Sequence, residues 1–385
     1  MKNIVGQAVR GKDFWDRKSE IAKIWKAIES GTHPLLVAPR RVGKTSIMYK
    51  ILDEPKDDYA VVYVNTESAD SENEFWHKLF NALMDEEFKN KNALRLKSLC
   101  SSLKTISITK ISTAGIEFGN GKLLNYAEAF ELLVKEIDSD KKLIIMMDEF
   151  AQTIENIIKY ASICEAESLL KTHRTLRQNP KITSKVIFVY AGSIGLESVV
   201  AKFNAMKFIN DLNSIKVTPL SESEAIEFIH HLCPNIENEE ATYLLERIEW
   251  LIPFYIQLII QEINTLYSAK KALHVISKEM INQAIEHALD HRNHFEHWLA
   301  RIKSAFEKEE FKFAKEILNI VSEQGTLESK EMTNLADKYA LEADQAKEII
   351  HALVYDGYIN NNDNAKIYRF NSPILKLWWY KNVAN

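Results

Sequence analysis

Glycine and proline are scarce, at 11 and 8 in 385 residues, against typical usage of about 7% and 5%. That scarcity excludes collagen-like and low-complexity chains and argues against turn-dense all-β architectures. A mostly helical α/β chain is expected. Cysteine is scarcer still: Cys100, Cys164 and Cys233 are scattered without paired spacing. This excludes a disulfide framework or a Cys-x-x-Cys zinc site and fits a reducing compartment. Long apolar runs are missing too. The most apolar stretch, Trp250 to Ile260, has 11 residues and carries Pro253 and Gln257, too few to span a bilayer. The N-terminus has no apolar signal core, so a cytoplasmic protein without a membrane partner is expected. Neither charge sign dominates: 49 basic against 54 acidic residues give −5, no chain-wide footprint for nucleic acid. At about 150 residues per domain, the length allows two or three cores.

What is present is a series of short, continuous apolar runs separated by helical periodicity. Pro34–Val37, Tyr59–Asn65, Leu143–Met147 and Val186–Ala191 read as buried strands, with a weaker fifth from Ser214 to Thr218. Such runs, spaced by long helices, specify a parallel sheet covered on both faces. Directly after the first run stands Ala38-Pro-Arg-Arg-Val-Gly-Lys-Thr45, and a helix opens at Lys44. The segment fits G-x-x-x-x-G-K-[ST] with alanine in place of the first glycine. A phosphate needs converging backbone amides, a positive charge and a helix N-terminus, and this loop offers all three. Pro39, Arg40, Arg41, Val42, Gly43, Lys44, Thr45 and Ser46 are therefore the expected nucleotide-binding residues. Lys44 reaches the β- and γ-phosphates and the Thr45 hydroxyl binds Mg2+. Ala38 is compatible with the loop only if that position keeps φ below zero.

The third apolar run ends in Asp148-Glu149. Paired with a phosphate loop, Asp148 is expected to order the magnesium shell and Glu149 to orient or deprotonate the attacking water. The expected ligands are ATP or ADP and Mg2+, and the expected activity is ATP hydrolysis at low basal turnover.

With these motifs the chain resembles the AAA+/STAND group of P-loop ATPases, specifically the bacterial and archaeal ones whose loop reads G-P-R-R-x-G-K-T. Further matching segments are Phe14-Trp-Asp-Arg17 with Glu20, Gly192-Ser193 at the tip of the fourth strand, the Pro253 segment, and Ser372-Pro-Ile-Leu-Lys-Leu-Trp-Trp379. The resemblance implies a P-loop NTPase sheet in the order 5-1-4-3-2. It implies that Ser193 is the sensor-1 polar residue near the γ-phosphate, and that Phe14, Trp15 and Arg17 wall the adenine side. A plain Gly-Ser turn and a hydrophobic staple explain these residues as well. Pro253 matches the Gly-x-Pro element that replaces a sensor-2 arginine, although Leu251 stands at the glycine position. Arg174 and Arg177 are the arginine-finger candidates, or else complement their helix dipole. His287, His291 and His294 follow i, i+4, i+7 spacing, which suits either a metal-binding face or a polar interdomain face.

The expected domains are an ATPase core over 1–219, with a β-hairpin inserted near 105–118, a helical lid over 220–306 and a winged helix over 307–385. Ser221-Glu-Ser-Glu224 is a capping box opening the helical part. From residue 307 onward there are 10 basic and 13 acidic residues. The helix in the recognition position has only Lys347 against Glu342, Asp344, Glu348 and Asp356, and the wing adds only Lys366 and Arg369. Such a module lacks the phosphate-neutralising charge of a DNA reader. A signalling switch contacting a protein partner or itself is therefore favoured over an origin-recognition-like DNA-binding ATPase.

Overall fold

The computed structural model describes residues 1–85, 108–112, 115–118, 123–135, 140–269 and 275–384; Cys100 lies outside them. The chain forms two compact units. One comprises Arg17–Ala38 and Lys44–Val217; the other comprises Met1–Asp16, Pro39–Gly43 and Thr218–Asn385.

The first unit is built on five strands, β1 (His33–Val37), β2 (Tyr59–Asn65), β3 (Lys142–Asp148), β4 (Val186–Ala191) and β5 (Leu212–Lys216). Their order is β2-β3-β4-β1-β5, all parallel. Read from the other edge this is 5-1-4-3-2, the order the resemblance implies. All six residues of β4 are buried, as are six of seven in β3. Both faces of these central strands are thus covered, which is why they read as unbroken apolar runs. β5 starts two residues earlier than the sequence suggests. It is an edge strand in which only Ile215 is buried, so no apolar run marks its start. Between β2 and β3, Ile108–Ser112 pairs antiparallel with Gly115–Phe118, and Leu123–Leu124 adds a third short strand. Residues 105–107 of the expected hairpin lie outside the described residues.

In the second unit five helices follow one another: Glu222–Leu232, Asn238–Ile248, Pro253–Ala269, Lys278–Asp290 and Glu296–Ala305. The first opens on the Ser221–Glu224 capping box. Then come a helix Lys308–Gln324, strand β6 (Thr326–Glu328), helices Ser329–Lys338 and Ala343–Tyr355, strands β7 (Ile359–Asn360) and β8 (Ile367–Phe370), and a closing helix Pro373–Trp379. The three strands form a small antiparallel sheet ordered β7-β8-β6.

Aromatic side chains join these elements. Trp378 stacks on Phe295 with ring centres 5.5 Å apart, and Tyr358 meets Trp298 edge-on at 4.9 Å. The Tyr358 hydroxyl donates to the Trp298 carbonyl at 2.6 Å. Arg301 and Asp356 form a buried ion pair at 3.1 Å. The tryptophan pair at the chain end is therefore interior, Trp378 and Trp379 being 2% and 0% exposed. Two such rings left in water would form a costly apolar patch.

Candidate functional site

In the first unit the end of β1 leads into the loop and the helix Lys44–Asp53 leads out of it. The loop's positive-φ positions are Arg41 (φ +64) and Gly43 (φ +106), and Ala38 is not among them. Alanine is accommodated there because the left-handed positions come later, at Arg41 and at Gly43, where glycine adopts that conformation without a Cβ penalty. Lys44 is 6% exposed, and its ammonium donates to the Ala38 carbonyl at 2.7 Å. The bond returns the side chain to the start of its own loop and holds the buried charge where anionic oxygens are to be met.

The parallel register pairs Asn65 with Asp148, bringing the tips of β2 and β3 together. Asp148 is 2% exposed. Its Oδ2 accepts from the Thr45 hydroxyl at 2.7 Å and from the Tyr63 hydroxyl at 3.0 Å. Its Oδ1 accepts from the Glu149 amide at 3.0 Å. Burial and the Asp148 charge both push the Tyr63 pKa upward, so Tyr63 stays a donor. Tyr63 was not among the residues the sequence singled out. Its only signal is its place on β2 two residues before the strand tip, and that becomes meaningful only once the register is known. The Thr45 hydroxyl and the Asp148 carboxylate are hard oxygens held together, the donor chemistry that suits Mg2+.

Glu149 adopts φ +57, a left-handed conformation that costs a non-glycine residue free energy and concentrates at functional positions. The surroundings hold it there. The Thr66 amide and hydroxyl donate to the Asp148 carbonyl at 3.0 and 2.9 Å, and the Thr153 hydroxyl donates to the Thr66 carbonyl at 2.8 Å. Glu149 Oε2 then accepts two bonds of 2.8 Å, from the Ser193 amide and the Ser193 hydroxyl. Gly192 allows this approach. A Cβ at that position would sit 3.3 Å from Ala151 Cβ, in the helix that begins beside Glu149.

The other expected residues fall as follows. Ser46 and Val42 are buried. Arg17 is buried and pairs with Glu20 at 3.1 Å. Arg177 is corrected: its side chain is 1% exposed and engaged inside the first unit. It makes two bonds of 2.8 Å to Asp211, one of 2.6 Å to the Phe208 carbonyl and one of 3.0 Å to the Tyr190 hydroxyl. Four of its five N–H donors are thus spent inside the first unit, away from any transferring phosphoryl group. Arg177→Ala should lower unfolding stability by about 3–5 kcal/mol, the cost of leaving a buried partner unpaired. Turnover per folded molecule should stay near wild type. Denaturant titration and single-turnover hydrolysis together check this. Arg174, half-buried, adds its charge to the surroundings of Asp211.

In the second unit Trp15 lies against His231 at 4.5 Å and Phe228 at 5.7 Å, and its indole N–H is buried without a partner. Phe14 precedes it in the same segment. Pro253 is the first residue of its helix, and the next residue, Phe254, carries the Arg41 guanidinium 4.0 Å above its ring. The histidine stripe forms no three-residue group among the described residues, although the His291 and His294 rings lie 5.8 Å apart. The helix ends at Asp290, so His291 and His294 leave its face; His291 pairs with Glu262 at 3.0 Å. Among the described residues no group of three His, Cys, Asp or Glu is placed to hold a metal. Nor, among them, is any helix long and apolar enough to cross a membrane.

Comparison with known proteins gives three results. A family described as an ATPase domain predominantly from Archaea matches residues 14–249. A search of curated proteins returned no match. Among solved structures, the chain is similar to a Walker-type ATPase of Pyrococcus abyssi, at 14% identity and a TM-score of 0.68, covering 98% of this chain and 99% of that one. It is also similar to the ORC2 protein of Aeropyrum pernix in its ADPNP-ADP complexes, at 12% identity and a TM-score of 0.56, covering 95% and 93%. At such identities the likeness concerns the fold.

Proposed function

Because the chain belongs to this family of ATPase domains found predominantly in Archaea, we propose that it is an ATP-binding, slowly hydrolysing switch of the AAA+/STAND class. In this reading nucleotide state is communicated to the helical region 220–306 and the winged helix 307–385. Lys44 and the loop amides hold the phosphates. Thr45 and Asp148 hold Mg2+, which supplies charge neutralisation on the phosphate oxygens. Glu149 is the acceptor for the proton of the attacking water. Its Oε2 is occupied by the Ser193 amide and hydroxyl, which keep the carboxylate from rotating and leave Oε1 for the water.

One observation carries the switch reading. Loop residues 39–43 belong to the same compact unit as residues 218–385, and the contacts are specific. Gly357 (φ +89) has the Trp250 ring and Pro39 so close that an added Cβ would lie 2.6 Å from Trp250 and 3.1 Å from Pro39 Cβ. A phosphate loop gripped by C-terminal elements changes their packing whenever nucleotide rearranges it.

The partner in this reading is a protein or a second copy of the chain, not DNA. Arg369, one of two basic wing residues, is bound to Glu249 at 2.7 Å and Asp363 at 3.0 Å, and Lys347 to Asp344 at 3.0 Å. With 10 basic against 13 acidic residues from 307 onward, the module offers no net positive charge to displace counterions from a duplex. The full-length chain should bind duplex DNA more weakly than about micromolar at physiological salt, with a shallow salt slope. Fluorescence anisotropy over a salt series measures both. Tight binding that falls steeply with salt would restore the origin-recognition-like alternative.

A further inference from the structure

We propose that His297 is a positioning residue for Arg41 and, through Arg41, for the nucleotide phosphates. The inference rests on the nucleotide reading above and deepens it. Arg41 stands three residues before Lys44 in the phosphate loop, yet its side chain is fixed by the C-terminal part of its own unit. The face of the guanidinium covers the Phe254 ring at 4.0 Å, and Nη2 lies 3.2 Å from His297 Nδ1. Arginine only donates, so Nδ1 accepts and the imidazole proton resides on Nε2. Burial, then the charges of Arg41 and Arg40, hold His297 far below the ordinary histidine range, at about 3. It is therefore neutral and able to accept at any physiological pH.

The unsatisfied atoms point to a ligand. Arg41 Nη1, Arg40 Nε and His297 Nε2 are all buried without a hydrogen-bond partner. A buried donor left unpaired is costly, and two arginine donors beside one neutral imidazole donor suit an oxyanion acceptor. Burial also lowers the Arg41 pKa, to about 10, a sign that the guanidinium is desolvated before any acceptor arrives. An oxyanion in the phosphate loop supplies that acceptor. His297 does not touch it. Its role is to remove the rotamer freedom of Arg41, which a long flexible cation would otherwise lose on binding.

The test is a double-mutant cycle on ATP affinity in the full-length protein, read by calorimetry. His297→Ala should weaken ATP about tenfold, and Arg41→Ala at least as much. The double variant should be no weaker than Arg41→Ala alone, because His297 acts only through that side chain. His297→Gln, whose amide oxygen still accepts, should restore most of the affinity. Additive losses in the cycle, or glutamine failing to rescue in a protein of unchanged Tm, would overturn the proposal. So would wild-type affinity in a folded His297→Ala protein. If His297→Ala does not fold, Phe254→Leu replaces it in the cycle, since it removes the other support of Arg41. No ATP binding by the wild-type chain would instead sink the nucleotide reading itself.

Discussion

Lys44→Ala is expected to lose ATP binding by at least about a hundredfold, into the range where calorimetry detects none at micromolar protein. The ammonium is 6% exposed and held on the Ala38 carbonyl at 2.7 Å, so it is oriented before ligand arrives. Charge-assisted bonds to phosphate oxygens contribute about 1.5–3 kcal/mol each, and loss of two suffices for this effect. The fold should survive, because alanine removes a buried charge whose desolvation is itself costly. Unchanged ATP affinity in Lys44→Ala would end the assignment of the loop as a phosphate site.

Glu149→Gln should behave differently, binding ATP within about threefold of wild type while hydrolysing it roughly 10²–10⁴ times more slowly. The amide keeps an oxygen toward the Ser193 amide and hydroxyl, both at 2.8 Å from the native Oε2, so the side chain stays where it was. What it loses is the ability to accept a proton, a contribution made in the transition state. Steady-state hydrolysis beside equilibrium binding separates the two effects. A variant that turns over at the wild-type rate removes Glu149 as the base. Ser193→Ala forms the natural companion. It removes the hydroxyl bond to Glu149 Oε2 and keeps the amide bond, so a smaller loss, of the order of tenfold, is expected in kcat and little in KM.

Much of this was legible from residue order. The parallel sheet and its strand tips follow from continuous apolar runs, because a strand buried on both faces has no polar face to alternate with. The phosphate loop follows from eight adjacent residues, and Asp148 and Glu149 from their place at the end of such a run. These are local patterns, and local chemistry dictates them. What the linear order left open was every pairing at a distance. Tyr63 joins Asp148 only because parallel register sets Asn65 opposite Asp148. Arg177 looked available as a finger because helix periodicity does not reveal that Asp211 and Tyr190 surround it. The regular histidine spacing pointed to His287, His291 and His294, whereas a helix end at Asp290 broke that face and His297, outside the pattern, met Arg41. Loop residues 39–43 grouped with the C-terminal elements through the size of Trp250 and Phe254 and the absence of a side chain at Gly357. Such packing depends on three-dimensional shape, and no spacing along the chain encodes it.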